Sequence, residues 1–276
     1  MNMNTQRNGK ADKNILVVGN WKMNPLSVDE AKKIVASTKK ILPKLQRTAV
    51  VACPPAVFLG TFTKKASLGK TNSTFSPGSL AFGVQNIHEA ESGSYTGEMS
   101  AKMAVNTGAV YTIVGHSERR KMGETSERIA KKATKALEAG LLPIICVGEE
   151  VRNDEGSYWA FIKEQVKASC AGIEKAGAQK MIIAYERVWA IGAKEAMTPD
   201  LICEMVIFIR KVLADIYGSE IAMKVPVLYG GSVNFQNSAD IIIKGQVDGL
   251  LVGRESVSPV GFVDLLKAVD GAGATL

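Results

Sequence analysis

The chain has 276 residues, with 34 Lys and Arg against 27 Asp and Glu for a net charge of +7; 46% of its residues are hydrophobic and 22% charged. This composition excludes disorder for the bulk of the chain and fits a globular protein with a sizeable core. No apolar run approaches the roughly 18 residues that a membrane helix needs, so no membrane partner is expected.

Residues 1–13, MNMNTQRNGKADK, are polar and lack the apolar stretch of a secretory signal. They read as a flexible tail, and the expected location is the cytoplasm. From residue 14 onward, Val-, Ile- and Leu-rich runs with little alternation predict strands buried on both faces near 15–19, 49–53, 80–85, 110–115, 143–147, 181–185, 225–229 and 249–252. Longer amphipathic stretches follow them, predicting helices near 27–41, 56–66, 98–106, 124–139, 157–175, 198–217, 235–244 and 258–269. Ser27 with Glu30 forms a capping-box pattern, and Thr198-Pro199 reads as an N-cap followed by proline at the first helical position. Gly69 to Leu80, GKTNSTFSPGSL, reads as a polar surface-loop insertion.

Eight strand–helix pairs close a single α/β domain, a (βα)8 barrel over 14–276, since such barrels use about 250 residues as one unit. The rival, a doubly wound open sheet, typically shows a Gly-rich fingerprint after its first strand, and GNWKMN is not G-x-G-x-x-G. The cysteines Cys53, Cys146, Cys170 and Cys203 are far apart, with no C-x-x-C pair and no His at metal-ligand spacing. Neither a disulfide framework nor a metal site is expected. The lysines fall as pairs along helical faces (Lys32/Lys33, Lys39/Lys40, Lys131/Lys132) without aromatic interleaving, which favours solvated faces over nucleic acid. Their positive field still favours anionic substrates.

In a barrel of this kind, polar residues at the C-terminal strand ends are placed for chemistry. Asn20 and Lys22 follow strand one, His116 and Glu118 follow strand four in VGHSERR, and Glu186 ends strand six before the apolar stretch Val188 to Ile191 and Gly192. A carboxylate base beside a water-excluding flap, with a lysine and an imidazole to meet developing negative charge, suits proton abstraction next to a carbonyl. YGGS and LLVGR after strands seven and eight bring glycine-containing loops whose N–H groups can approach an anion, a recurrent phosphate site in such barrels. This chemistry requires no metal and no organic cofactor.

The blocks GNWKMN, ACPP, GVQN, SYTGE, VGHSERR, PIICVGE, AYERVWAIG, YGGSV and DGLLVG, in this order, resemble the triosephosphate isomerase family over roughly residues 15–270. The resemblance implies a (βα)8 TIM barrel that interconverts D-glyceraldehyde 3-phosphate and dihydroxyacetone phosphate through an ene-diolate, in glycolysis and gluconeogenesis. It implies Glu186 as base, His116 as electrophile, Lys22 as cation, Asn20 as a residue that orients Lys22 and contacts substrate, and Glu118 as the ionic partner of Lys22. It implies phosphate binding at Gly192, Ser232, Gly253 and Arg254. The resemblance also implies a neutral histidine with its pKa lowered by a helix N-terminus. Ser92 to Glu98 matches a protruding loop that docks into a partner subunit, with Thr96 completing the neighbouring site near Lys22, so a homodimer is implied.

Two departures stand out. Arg187 follows Glu186 where the family nearly always has proline, and the expectation is that Arg187 points to solvent. Arg254 follows Gly253 where the family commonly has a second glycine; it is expected to offer its backbone N–H to phosphate while its guanidinium pairs with Glu255 or another surface acid. The flap's far hinge, Ala193-Lys194-Glu195, also differs from the usual TGK-type sequence. These departures keep two alternatives open, an isomerase of a related sugar such as a tetrulose phosphate and an inactive barrel retained for binding.

Overall fold

The computed structural model describes residues 14–63, 76–152, 156–187 and 197–273. Eight parallel strands close on themselves in sequence order: β1 (Ile15–Asn20), β2 (Thr48–Cys53), β3 (Leu80–Val84), β4 (Tyr111–Val114), β5 (Leu142–Val147), β6 (Ile182–Glu186), β7 (Val227–Gly230) and β8 (Gly249–Val252). The expected eight-stranded barrel is present, each strand within two residues of its predicted start. Around it run α1 (Val28–Ile41), α2 (Ala56–Phe62), α3 (Ala101–Asn106), α4 (Ser117–Lys121), α5 (Ser126–Ala139), α6 (Ser157–Ser169), α7 (Lys175–Ala178), α8 (Pro199–Tyr217), α9 (Ser219–Lys224), α10 (Ser238–Lys244) and α11 (Pro259–Gly273).

Side chains alternate across each strand, so the strands feed two cores. One set, including Leu16, Val18, Ala49, Val51, Ile113, Ile144, Cys146, Ile182, Ala184, Leu228 and Leu251, fills the barrel. The other, including Ile15, Val17, Val50, Ile145, Ile183 and Val227, packs outward against helix residues such as Ile34, Ile129, Ile162, Ile209 and Leu265. Burial on both faces is why these strands read as continuous apolar runs. Closure is tightest where β8 meets β1: a Cβ on Gly249 would lie 1.9 Å from the Leu16 carbonyl oxygen, so only glycine fits there.

Local signals explain most boundaries. Ser27 caps α1 through its Oγ, which accepts from Glu30 N–H at 3.3 Å. Thr198 precedes Pro199 as expected, but its hydroxyl makes no cap bond, so the start of α8 rests on the fixed φ of Pro199. The helix predicted from 98 begins only at Ala101, because Ser100 Oγ accepts from Met103 N–H at 3.4 Å and sets the start there. The helix predicted over 157–175 stops at Ser169, and the chain then turns through Gly172 at φ +78° before α7. The N-terminal tail, the flap Val188 to Ile191 with Gly192, the far hinge 193–195, and 69–75 of the predicted insertion lie outside the described residues.

Beneath the rim, the outer layer carries a buried ion pair. Lys132 of α5 hydrogen-bonds Glu124 Oε1 and, at 2.9 Å, Asn86 Oδ1; the Lys132 and Glu124 side chains are 1% and 3% exposed. Glu124 Oε2 is buried without a hydrogen-bond partner, so this carboxylate depends on Lys132, with Arg119 as a more distant second cation at 3.4 Å. Removing one partner of such a pair strands the other's charge. Lys132→Met is therefore expected to destabilise the protein by about 3–5 kcal/mol, read as a lower urea midpoint with an unchanged slope; a loss under about 1 kcal/mol would contradict the reading.

Candidate active site

Strand parity carries the site. Leu16 and Val18 point into the barrel, and Asn20 continues their phase at the C-terminal end of β1. In the same way Ile182 and Ala184 lead to Glu186, Leu228 leads to Gly230, and Leu251 leads to Gly253. The inward row on four strands thus ends, at the same rim, in one amide, one carboxylate and two glycines.

Lys22 stands just beyond β1 with φ +53°, a left-handed backbone that costs a non-glycine residue about 1–2 kcal/mol. Its main chain is tied on both sides. Lys22 N–H donates to Asn20 Oδ1 at 3.1 Å, and Gln85 Nε2 donates to the Lys22 carbonyl and to the Cys53 carbonyl, each at 2.9 Å. Held this way, the ammonium lies 2.7 Å from Glu118 Oε1. A Cβ on Gly253 would lie 3.5 Å from Lys22 Cε, so the end of β8 borders the lysine directly. Glu118 and Lys22 are half exposed; the pair contributes little to stability and serves to aim the cation.

His116 follows β4 as the N-cap of α4. Its Nδ1 accepts from Glu118 N–H at 3.2 Å, which fixes the proton of the neutral ring on Nε2. That Nε2 lies 3.0 Å from Glu186 Oε1, and Glu186 Oε2 accepts from Ser117 N–H at 2.9 Å. Both side chains are nine-tenths buried or close to it. Burial disfavours the Glu186 carboxylate, but His116 beside it and the Ser117 N–H outweigh that and hold it below the usual carboxylate range. Burial likewise disfavours imidazolium, while Glu186 and, more weakly, Glu118 pull His116 above its ordinary value. The family's lowered histidine is therefore not the resting condition: with Glu186 against the ring, the carboxylate's attraction prevails. Burial, Lys22 and the Glu118 N–H favour the neutral ring against that attraction.

The two glycine loops follow. A Cβ on Gly230 would lie 3.3 Å from Glu186 Cγ, so the end of β7 packs against the base. Ser232 is half-buried in the next turn, where its carbonyl accepts from Asn237 Nδ2 at 2.9 Å. Gly253 leads into a 3-10 turn over Arg254–Val257, and its carbonyl accepts from Ser256 Oγ at 2.6 Å and Ser256 N–H at 2.9 Å.

Two expectations are corrected. Arg187 does not simply point to solvent: it is half-buried with Nε covered, and its charge lies close enough to Tyr229 to oppose the rise that burial imposes on that phenol. Nor does Arg254 pair with Glu255. Arg254 is exposed with no ion-pair partner among the described residues, and the Glu255 carboxylate turns instead towards Gly261 at the start of α11.

Among the described residues, Asn20, Lys22, Glu118, His116, Glu186 and Gly253 converge, with Ser232 on the adjoining turn. Thr96 lies on the exposed loop 92–98, and Gly192 lies outside the described residues. Reading the sequence missed two participants, Gln85 and Ser117, which entered only within the blocks GVQN and VGHSERR, and it read Gly230 only as part of the YGGS anion loop, not as a residue packed against Glu186. Parity was the available signal for Gln85 and Gly230, because they continue the inward rows of Ala81 and Leu228. No sequence signal marked Ser117, which acts through its backbone N–H.

A family model described as triosephosphate isomerase matches residues 15–269. Triosephosphate isomerase of Thermus thermophilus is 41% identical over 256 residues, covering 92% of this chain and 98% of the relative. The enzyme of the same name from Endomicrobium trichonymphae is 40% identical over 254 residues, covering 91% and 97%. That of Dehalococcoides mccartyi is 37% identical over 255 residues, covering 92% and 96%. With a closed eight-stranded barrel, the amide, ammonium, imidazole and carboxylate at its rim, and likeness along nearly the whole of its relatives, this chain belongs to the triosephosphate isomerase family.

Proposed function

We propose that this chain is a triose-phosphate isomerase that interconverts D-glyceraldehyde 3-phosphate and dihydroxyacetone phosphate. The observation that carries the reading is the buried contact of the Glu186 carboxylate with the Nε2 side of His116, beside the Lys22 ammonium aimed by Glu118. Glu186 removes a proton from the carbon next to the carbonyl, and the electron pair moves onto the carbonyl oxygen to give an ene-diolate. His116 donates its Nε2–H to the oxygens on which charge develops and relays protons between them, and Lys22 supplies a fixed positive charge. Protonated Glu186 then returns the proton to the adjacent carbon, so base, imidazole and lysine end as they began.

Asn20 sets the approach of Lys22. The phosphate is assigned to main-chain N–H groups at Gly192, Ser232, Gly253 and Arg254, where the absence of side chains at Gly192 and Gly253 permits close approach. Arg254 adds a guanidinium, without an ion-pair partner among the described residues, at the same rim, which strengthens anion capture without touching the reacting carbons. Because substrate and ene-diolate both carry the phosphate, this contact is uniform binding and acts on KM.

The assembly that best suits the chain is a homodimer. Met23 and Leu26, beside the catalytic lysine, are 89% and 92% exposed, and Tyr95 on the 92–98 loop and Met103 on α3 are about half exposed. Exposed apolar side chains at the rim and at Tyr95 suit burial by a partner; Thr96 is assigned to the neighbouring subunit's site near Lys22. The location follows from the reaction, which belongs to cytoplasmic glycolysis and gluconeogenesis; among the described residues no helix is long and apolar enough to cross a membrane.

Coupled assays in both directions test the assignment. Glu186→Gln keeps the shape and loses the base, and kcat is expected to fall by about 10³-fold, some 4 kcal/mol; full turnover in this variant would remove Glu186 from its role. A Glu186 carboxyl resonance followed by NMR is expected to titrate below the usual carboxylate range in the free protein. In His116→Gln it should titrate above that range, because burial persists while the imidazole is gone. Arg254→Gly is expected to raise KM by several-fold at low salt with kcat held, and a fall in kcat instead would place this side chain at the reacting atoms. Tyr95→Glu is expected to shift sedimentation towards the monomer and to reduce turnover together; an active monomer would overturn the subunit-sharing role of the loop.

A further inference from the structure

Arg187 occupies the position that the family usually gives to proline, and its backbone does something proline cannot do. Arg187 N–H donates to the Gly230 carbonyl at 3.2 Å. Glu186 pairs with Gly230 in the β6–β7 register, so this bond is a further rung of the ladder, placed immediately after the base. Gly230 is also the residue packed against Glu186 Cγ, at 3.3 Å from the site of its absent Cβ. One residue of β7 therefore holds the peptide after Glu186 and abuts the Glu186 side chain.

We propose that Arg187 is a positioning residue for Glu186, acting through its main-chain N–H: the rung to Gly230 fixes the backbone of the base, so that the carboxylate moves between His116 and substrate by side-chain rotation alone. The proposal rests on the assignment of Glu186 as the base. A proline ring restricts the preceding residue from within the chain; here the restriction comes from the neighbouring strand. The two devices do not coexist at this spacing. A proline Cδ would stand about 1.5 Å from the nitrogen in roughly the direction of the N–H, leaving roughly 2 Å to the Gly230 oxygen. Strands β6 and β7 would have to part there, carrying Gly230 away from the Glu186 side chain.

The test has two arms. In the unaltered protein, hydrogen exchange resolved at the Arg187 amide is expected to be slowed about 100-fold or more relative to a free peptide; exchange at loop rates would overturn the proposal whether or not the protein isomerises triose phosphates. In kinetics, Arg187→Pro is expected to lower kcat about tenfold or more with KM changed less than about threefold, whereas Arg187→Lys, which keeps the N–H and a long cationic side chain, stays within about threefold in kcat. Equal kcat in the two variants, whether preserved or lost, overturns the role of the N–H. Should Arg187→Pro fail to fold, as judged by circular dichroism, the exchange arm decides alone. Absence of turnover in the unaltered protein defeats the isomerase assignment and leaves the rung itself to the exchange measurement.

Discussion

A carboxylate buried at the top of the barrel has to be kept charged without being spent, and the remainder of the site is arranged around that need. Glu186 receives one N–H from the backbone of Ser117 and faces Nε2 of His116, and these two contacts overcome the burial that would otherwise neutralise it. Both come from the same short segment after β4. The base is thus parked on the electrophile it is assigned to work with, and entry of a substrate has to break the contact. Breaking it removes the largest influences that lower the carboxylate's affinity for a proton and the largest one that raises the imidazole's. A guest therefore shifts the two groups in the directions that proton abstraction and hydrogen-bond donation by a neutral ring require.

Glu118 divides its functions similarly. Its side chain aims Lys22 while its backbone N–H fixes the histidine tautomer, so one residue couples the cation and the electrophile. Because Lys22 is held in a left-handed backbone by Asn20 and Gln85, its strain is balanced by one side chain from the end of its own strand and one from just past β3. Loss of either tie would let the main chain relax and withdraw the ammonium from the rim. The polar ring is best regarded as mutually positioned, with no member independently placed.

How much of this was legible in the sequence follows from the kind of interaction involved. Strands buried on both faces announce themselves as unbroken apolar runs, so β1 to β8 were readable, and the inward phase of Leu16 and Val18 or of Ile182 and Ala184 carries on to Asn20 and Glu186. His116 was readable as a residue at a strand terminus, and Lys22 through the block after β1. Ser117 was not, since a backbone donor leaves no trace in residue type. The surroundings of Arg187 were also out of reach, because they are set by Tyr229 and Gly230 of β7, far away in the chain. Short elements such as α4 and α9 arise where caps and turns leave only a turn or two of chain, too little for a hydrophobic period to register.

The two arginines that depart from the family differ in what they can disturb. Arg254 is exposed at the start of the turn after β8, so its charge acts through water, which weakens it with salt. Arg187 is part of the sheet. Its N–H is directed at Gly230 and its half-buried side chain lies near Tyr229, whose hydroxyl also accepts from the N–H of Met197 at 3.3 Å. Met197, eleven residues past the end of β6, is thereby joined to β7, the neighbouring strand. Substitutions in β7 at Tyr229 or Gly230 would reach Glu186 through the sheet, so the end of β7 belongs with the rim residues that set its position.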